Sequence, residues 1–175
     1  FNTDGSVAYE AGNSLEHLMA RIGHYNDKRS DAKGNEPENA EFGRFDGTDY
    51  LFVASERSSA LVVYDLSKAN VPAYKQVLPA GLAPEGVLAI PSRNLLIAAS
   101  ESDDRSILSR SSLSIYQYQT ATAAYPTIQS VNRADGTPIP WAALSGLAAA
   151  ATGSLVYAVD DSFFGTNRVF EIDTA

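Results

Sequence analysis

The feature that most constrains the fold of this chain is a β-type unit that occurs three times along it. Glu38-Asn39 aligns with Glu85-Gly86 and with Ser145-Gly146, so the unit recurs after 47 and then 60 residues. After each start, a turn leads into an apolar strand that ends in a small–acidic or acidic pair: Ser55-Glu56, Ser100-Glu101 and Asp160-Asp161. A unit of roughly 40–50 residues with about four short strands is typical of one blade of a β-propeller.

The strands themselves are predicted from short apolar runs that are rich in β-branched and aromatic residues. These runs cover residues 50–54, 61–65, 86–90, 95–100, 113–118, 146–150, 155–159 and 168–173. One helix is predicted from the i, i+3, i+4, i+7 spacing of Leu15, Leu18, Met19 and Ile22, with Ser14 as its N-cap and Gly23 at its end. Residues 1–11 are expected to include a short strand, and residues 26–41 to form a polar loop.

The predicted fold is therefore all-β: a partial β-propeller of about three blades with one short N-terminal helix. The predicted divisions are an N-terminal strand, helix and loop over 1–41 and blade-like units over 42–82, 83–130 and 131–175. Polar insertions at 102–112 and 120–140 account for the longer second step. A β-sandwich is the alternative. Because propellers contain about 4–8 blades, we expect further blades from outside this chain or from another copy of it.

Charge and composition exclude several classes of partner and cofactor. The chain has 21 acidic and 13 basic residues, and nucleic-acid binding needs clustered Lys and Arg, so nucleic acid is not an expected partner. There is no cysteine, which excludes disulfides and thiol nucleophiles. We expect no nucleotide, haem or iron–sulfur cofactor. No apolar run is long enough for a transmembrane segment.

Several stretches resemble known families. RSDAKGNEPE at 29–38 resembles the loop that opens a blade in choice-of-anchor I domain proteins, and YLFVASER at 50–57, VVYD at 62–65, PEG at 84–86 and LIAASE at 96–101 are also similar. DGTPIPW at 135–141, LSGL at 144–147 and YAVDDS at 157–162 resemble the start of a phytase-like domain with esterase-like activity.

The resemblance implies an exported β-propeller that is secreted, periplasmic or on the cell surface, of a type often described as alkaline phosphatase. The chain starts at Phe1 without an initiator Met, so we expect any export signal to have been removed or to lie outside it. The parent protein implied is a calcium-dependent phosphoesterase. The alternative is a non-catalytic surface propeller that acts as a binding or scaffold module.

Carboxylates at equivalent blade positions are the candidate metal ligands, because Ca²⁺ is bound by several oxygen ligands. They are Glu36, Glu38, Glu56, Glu85, Glu101, Asp160 and Asp161. In phytase-like propellers calcium bridges such acids and the substrate phosphate. The alternative is structural, with each acid accepting backbone hydrogen bonds.

Three basic residues are candidates for substrate binding: Arg29, Lys33 and Arg57. His17 and His24 are expected to be surface residues of the helix. Nothing in the sequence identifies a catalytic nucleophile, since no Gly-x-Ser-x-Gly motif occurs. The catalytic residues, if the parent protein has them, are not predicted.

Overall fold

The structure is a computed structural model that describes residues 1–68, 71–121 and 127–175. The described residues form one α-helix and ten strands in three antiparallel sheets. The elements are α1 (Ser14–Arg21), β1 (Pro37–Phe45), β2 (Thr48–Ser55), β3 (Ala60–Asp65), β4 (Ala73–Pro79), β5 (Pro84–Ile90), β6 (Leu95–Ser100), β7 (Ser112–Gln117), β8 (Leu144–Ala149), β9 (Leu155–Asp160) and β10 (Val169–Asp173). The predicted all-β class with one helix is confirmed, whereas the propeller arrangement of the sheets stays a prediction.

Each sheet is a meander in which strands that follow one another in sequence are hydrogen-bonded neighbours. The orders are β1-β2-β3-β4, β5-β6-β7 and β10-β9-β8. The β1–β2 hairpin shows how the local sequence determines the connection between two neighbouring strands. Its two-residue loop, Asp46-Gly47, has positive φ at both positions (47° and 76°), which is the type I′ geometry that Asp-Gly favours.

The register of the sheets confirms the repeat that the sequence predicts. In all three, the first strand carries a bulge one residue after its start, and that start pairs with the last residue of the second strand. The bulged positions are Glu38, Glu85 and Ser145. The aligned positions in the sequence are therefore equivalent in space within their own sheets.

The chain divides into two compact units. The first comprises Phe1–Gly12 and Asn26–Tyr125. Its core lies between the sheet β1–β4 and the sheet β5–β7, where buried residues such as Phe52 and Leu61 pack with Leu96 and Ala98. Burial of these apolar side chains provides the main favourable free energy of this unit.

The second unit comprises Asn13–Tyr25 and Pro126–Ala175, so α1 groups with the sheet β8–β10. The predicted end of the helix is confirmed: Gly23 has φ +74°, and the N–H groups of Gly23 and His24 bond to carbonyls of the last turn, Ala20 and Met19. This is a Schellman motif. Leu15 and Met19 are buried, as their spacing predicts.

Several boundaries differ from the predictions. Ser14 is not the N-cap: Asn13 holds that position without a side-chain cap bond. A strand before the helix is absent from residues 1–13, where Val7 is 62% exposed and lacks a neighbouring strand to pair with. The polar loop ends before Pro37, because β1 gains a full ladder with β2.

The strand β4 is not predicted from the sequence, since it lies at the edge of its sheet and begins with three exposed residues, Ala73, Tyr74 and Lys75. Of the predicted polar insertion at 120–140, residues 122–126 lie outside the described residues.

Candidate functional site

The start of each sheet is fixed by one recurring backbone clamp. The residue before the first strand has a left-handed backbone, and its carbonyl accepts the N–H of the residue that follows the second strand. The three pairs are Glu36 with Glu56 (3.0 Å), Ala83 with Glu101 (2.9 Å) and Ala143 with Asp161 (3.0 Å). A non-glycine residue in this left-handed conformation is uncommon and costs free energy, so it persists where surrounding contacts hold it. The hydrogen bond of the clamp is such a contact, and it holds the strand ends and the acids on them in place.

In the first unit, this clamp places Glu36 in a buried ion-pair cluster. Only 3% of Glu36 is exposed. Arg29 donates to its Oε1, and Nε and Nη2 of Arg57 both lie 2.8 Å from its Oε2. Arg57 also places Nη1 2.7 Å from Oε1 of Glu56. Two of the three candidate substrate-binding cations are thus held by carboxylates, whereas Lys33 is exposed.

The two buried glutamates have opposite pKa shifts. The hydrogen bond from Arg29, supported by Arg57, lowers the pKa of Glu36 to about 2. Burial, followed by the hydrogen bond with Glu36, raises the pKa of Glu56 to about 7. Between these values Glu36 is ionised and Glu56 holds a proton, since two adjacent buried carboxylates resist ionising together.

Five of the seven candidate metal ligands come together in two groups that share Glu56. In each group, one ligand oxygen per residue lies within 4.8 Å of the others. The first group is Glu36, Glu38 and Glu56, and the second is Glu56, Glu85 and Glu101. Glu38 and Glu85 are exposed residues at the equivalent bulges, so the repeat explains why acids of two sheets converge.

Beside the second group lies a groove of about 400 Å³. Its lining includes Glu85, Glu101 and three serines, Ser100, Ser111 and Ser112. Ser100 is 2% exposed, and its hydroxyl has no hydrogen-bond partner among the described residues. A Cβ atom on Gly81 would lie 2.9 Å from this hydroxyl oxygen, so glycine leaves space beside it.

Sequence reasoning missed Ser100 and Ser112 as site residues. Ser100 did carry a signal, because it precedes Glu101 in the small–acidic pair and is equivalent to Ser55. Ser112 carried none, since its approach to Ser100 depends on the pairing of β6 with β7.

The remaining two predicted ligands, Asp160 and Asp161, lie in the second unit. Asp160 is buried, and its Oδ1 accepts the backbone N–H of Arg168 at 2.8 Å while its Oδ2 has no partner among the described residues. Within that unit, no described group of three acids that could share a cation includes either residue. His17 and His24 are both exposed on α1 or just after it.

Comparison with known proteins gives one match. Residues 1–69, less than half of the chain, match the family model of the choice-of-anchor I domain. No curated protein and no solved structure matches the chain significantly. The match covers Arg29, Glu36, Glu56 and Arg57 and supports the predicted exported, surface-associated class of protein. The phytase-like resemblance of the last stretch stays a prediction.

Among the described residues, no helix has the length and apolar composition needed to cross a bilayer.

Proposed function

We propose that this chain is part of an exported, surface-associated β-propeller protein and acts there as a non-catalytic binding or scaffold module. The match of residues 1–69 to the choice-of-anchor I domain supports the surface association. The shared register of the three meander sheets supports the propeller, since its blades are stacked copies of such sheets.

The observation that carries the binding role is an open apolar face on the sheet β5–β7. Leu88, Ile97 and Ile115 lie side by side across its three strands. Leu88 is 53% exposed and Ile115 63%, and Leu113 beside them is 68% exposed. Contiguous apolar surface of this kind marks a site of interaction.

The repeat strengthens this argument. The positions equivalent to Ile97 and Ile115 in the first sheet are Phe52 and Val63, which are buried in the core of the first unit. The same face is therefore covered in one sheet and open in the next. An open face with the composition of a covered one is adapted to receive another sheet, so the surface that it binds is a further blade, supplied from outside this chain or by another copy of it.

Hydrolysis receives less support from the geometry of the first unit. Arg29 and Arg57 are both held by Glu36, so neither guanidinium is available to bind a phosphate. The first unit also has no histidine, because His17 and His24 belong to the second. A serine there lacks the usual general base for nucleophilic attack.

The second candidate is the calcium-dependent phosphoesterase. One specific observation favours it: Glu56, Glu85 and Glu101 form a carboxylate group of the kind that binds Ca²⁺, and Arg57 contacts Glu56. To bind a phosphate that calcium bridges to the chain, Arg57 would have to break its contacts with Glu36.

Two assays separate these functions. Hydrolysis of p-nitrophenyl phosphate and inositol hexakisphosphate is measured in millimolar CaCl₂. We expect no turnover above buffer, whereas turnover that is lost in Glu101→Gln would establish the phosphoesterase instead.

Binding of the apolar dye ANS reports the open face directly. We expect dye fluorescence with the wild-type chain and less with Ile115→Asn, while the control Gln117→Asn, on the same strand and face, behaves as wild type. Equal fluorescence in all three chains would show that the β5–β7 face is not the binding surface.

A further inference from the structure

We propose that the groove along the outer edge of β10 binds residues 7–11 of a second copy of this chain as an added antiparallel strand. Each copy carries both the segment and the groove, so two copies can exchange their segments reciprocally. This inference does not rest on the proposed function, because it concerns the edge of the last sheet and not the open face of the sheet β5–β7.

The strand β10 lies at the edge of its sheet, with β9 on one side and no described strand on the other. An edge strand presents unpaired backbone N–H and C=O groups, which pair readily with a further strand. In the first sheet, the equivalent third strand, β3, is covered at this edge by β4, which pairs with it antiparallel. The repeat therefore indicates what covers β10: an antiparallel strand.

A groove of about 1160 Å³ within the second unit follows this edge. Its lining includes the consecutive residues 168–175 and, beside them, residues 127–131. Because successive side chains of a strand point to opposite faces, a groove lined by all of them lies beside the strand edge. With strands about 4.8 Å apart, sheets about 10 Å apart and a rise of about 3.3 Å, an extended residue occupies about 160 Å³. The groove therefore has room for about seven extended residues.

Residues 7–11 have the sequence pattern of a strand without a strand partner. All five are exposed, with Val7 at 62% and Tyr9 at 44%, and no described hydrogen bond involves them. Val7 and Tyr9 alternate with Ala8 and Glu10, so the two large apolar side chains project to one side of an extended segment. The strand expected within residues 1–11 therefore forms only when a second copy supplies its neighbour.

One antiparallel register matches this segment to β10. It places Val7 opposite Ile172 and Tyr9 opposite Phe170, and directly opposite residues share one face of a sheet. Phe170 and Ile172 are the half-buried residues of β10, so the apolar side chains of the segment extend the half-buried face. A shift by one residue would turn Val7 and Tyr9 to the other face, which carries Glu171.

The charges favour the same register. It places Glu10 opposite Val169, and no two acids are directly opposed. A shift by two residues in one direction would place Glu10 opposite Glu171, and like charges directly opposite are destabilising. A shift by two in the other direction would place Gly5 opposite Ile172 and lose one apolar pair.

The test is sedimentation velocity of the full 175-residue chain at concentrations from the low micromolar range upward. We expect a monomer–dimer equilibrium in which Val169→Glu weakens the dimer about tenfold, because reciprocal exchange places the new glutamate opposite Glu10 twice. Adding Glu10→Lys to Val169→Glu should restore the dimer, since the opposed charges then attract. Leu147→Glu is the matched control: Leu147 and Val169 are both 71% exposed, and Leu147 lies on β8, at the opposite edge of the same sheet. Its dimer should equal that of wild type.

Three results would overturn the proposal. They are a wild-type chain that stays monomeric at every concentration, equal weakening by Val169→Glu and Leu147→Glu, and a double variant that dimerises no better than Val169→Glu. Circular dichroism verifies that each variant is folded. A dimer that is lost in Ile115→Asn and kept in Val169→Glu would form through the open β5–β7 face instead, which would overturn this inference and support the proposed function.

Discussion

Gly23→Ala should destabilise the second unit through two separate effects. Gly23 has φ +74°, and an added Cβ would lie 2.7 Å from three ring carbons of Trp141. The indole N–H of Trp141 also donates to the carbonyl of Arg21 at 2.9 Å. The ring therefore packs on the helix end and cannot move away without losing that hydrogen bond.

The magnitude follows from these contacts. A left-handed alanine costs about 1–2 kcal/mol, and overpacking against the ring adds about 1–3 kcal/mol. Gly153→Ala is the control, since Gly153 has φ +85° in the same unit but nothing within 4 Å of an added Cβ. We expect Gly23→Ala to be less stable than Gly153→Ala by about 2 kcal/mol, or about 4–8 °C in Tm for a chain of this size.

Tryptophan fluorescence is the assay, because Trp141 is the only tryptophan of the chain. Its emission should shift to the red in Gly23→Ala, where the indole is displaced into water, and stay unchanged in Gly153→Ala. Equal melting temperatures and identical emission in the two variants would refute the packing of Trp141 on Gly23.

Three other predictions concern the acidic cluster. The lowered pKa of Glu36 makes the free energy of unfolding rise between about pH 2 and pH 4.5, the ordinary pKa of Glu, and the raised pKa of Glu56 makes the free energy of unfolding fall between pH 4.5 and about pH 7. Urea unfolding across this range should show a maximum of stability near pH 4.5. Glu56→Gln should remove the fall above pH 4.5, and a fall that persists in this variant would contradict the raised pKa of Glu56. Arg57→Met should lower the free energy of unfolding in urea by about 1–2 kcal/mol, less than for a fully buried pair because Arg57 is a third exposed. The control is Arg44→Met, since Arg44 lies 3.5 Å from Asp49 in an exposed pair, and it should lower the free energy of unfolding by less than about 1 kcal/mol. Equal losses in the two variants would argue against a stabilising cluster around Glu36. Under the second candidate function, Ca²⁺ at about 100 times its dissociation constant should raise the free energy of unfolding by about 2.7 kcal/mol in a thermal melt, with no such increase from Mg²⁺ or in Glu101→Gln.

The sequence predicted the sheets well because hairpins are local structures. Asp46-Gly47 determines its own turn, and the alternation of apolar residues determines which side of β2 and β6 is buried. The aligned acidic pairs followed from the same local pattern. Their register could therefore be predicted without knowing how one sheet packs on another.

The ion pairs could not be predicted in this way. Arg29 and Arg57 looked like candidate substrate ligands, but the path of the loop before β1 brings both to Glu36. The grouping of α1 with the last sheet is also long-range, since Arg21 and Trp141 are 120 residues apart. Neither contact leaves a local signal in composition or spacing.

The clustering of the acids has an electrostatic consequence that the repeat alone does not suggest. Two guanidiniums face five carboxylates in the first unit, so negative charge remains in excess after Arg29 and Arg57 are paired. A protein relieves such an excess by protonating one carboxylate or by binding a cation. Glu56 belongs to both groups, and its raised pKa is the first form of relief. A cation beside Glu85 and Glu101 would be the second, and it would make the proton on Glu56 unnecessary.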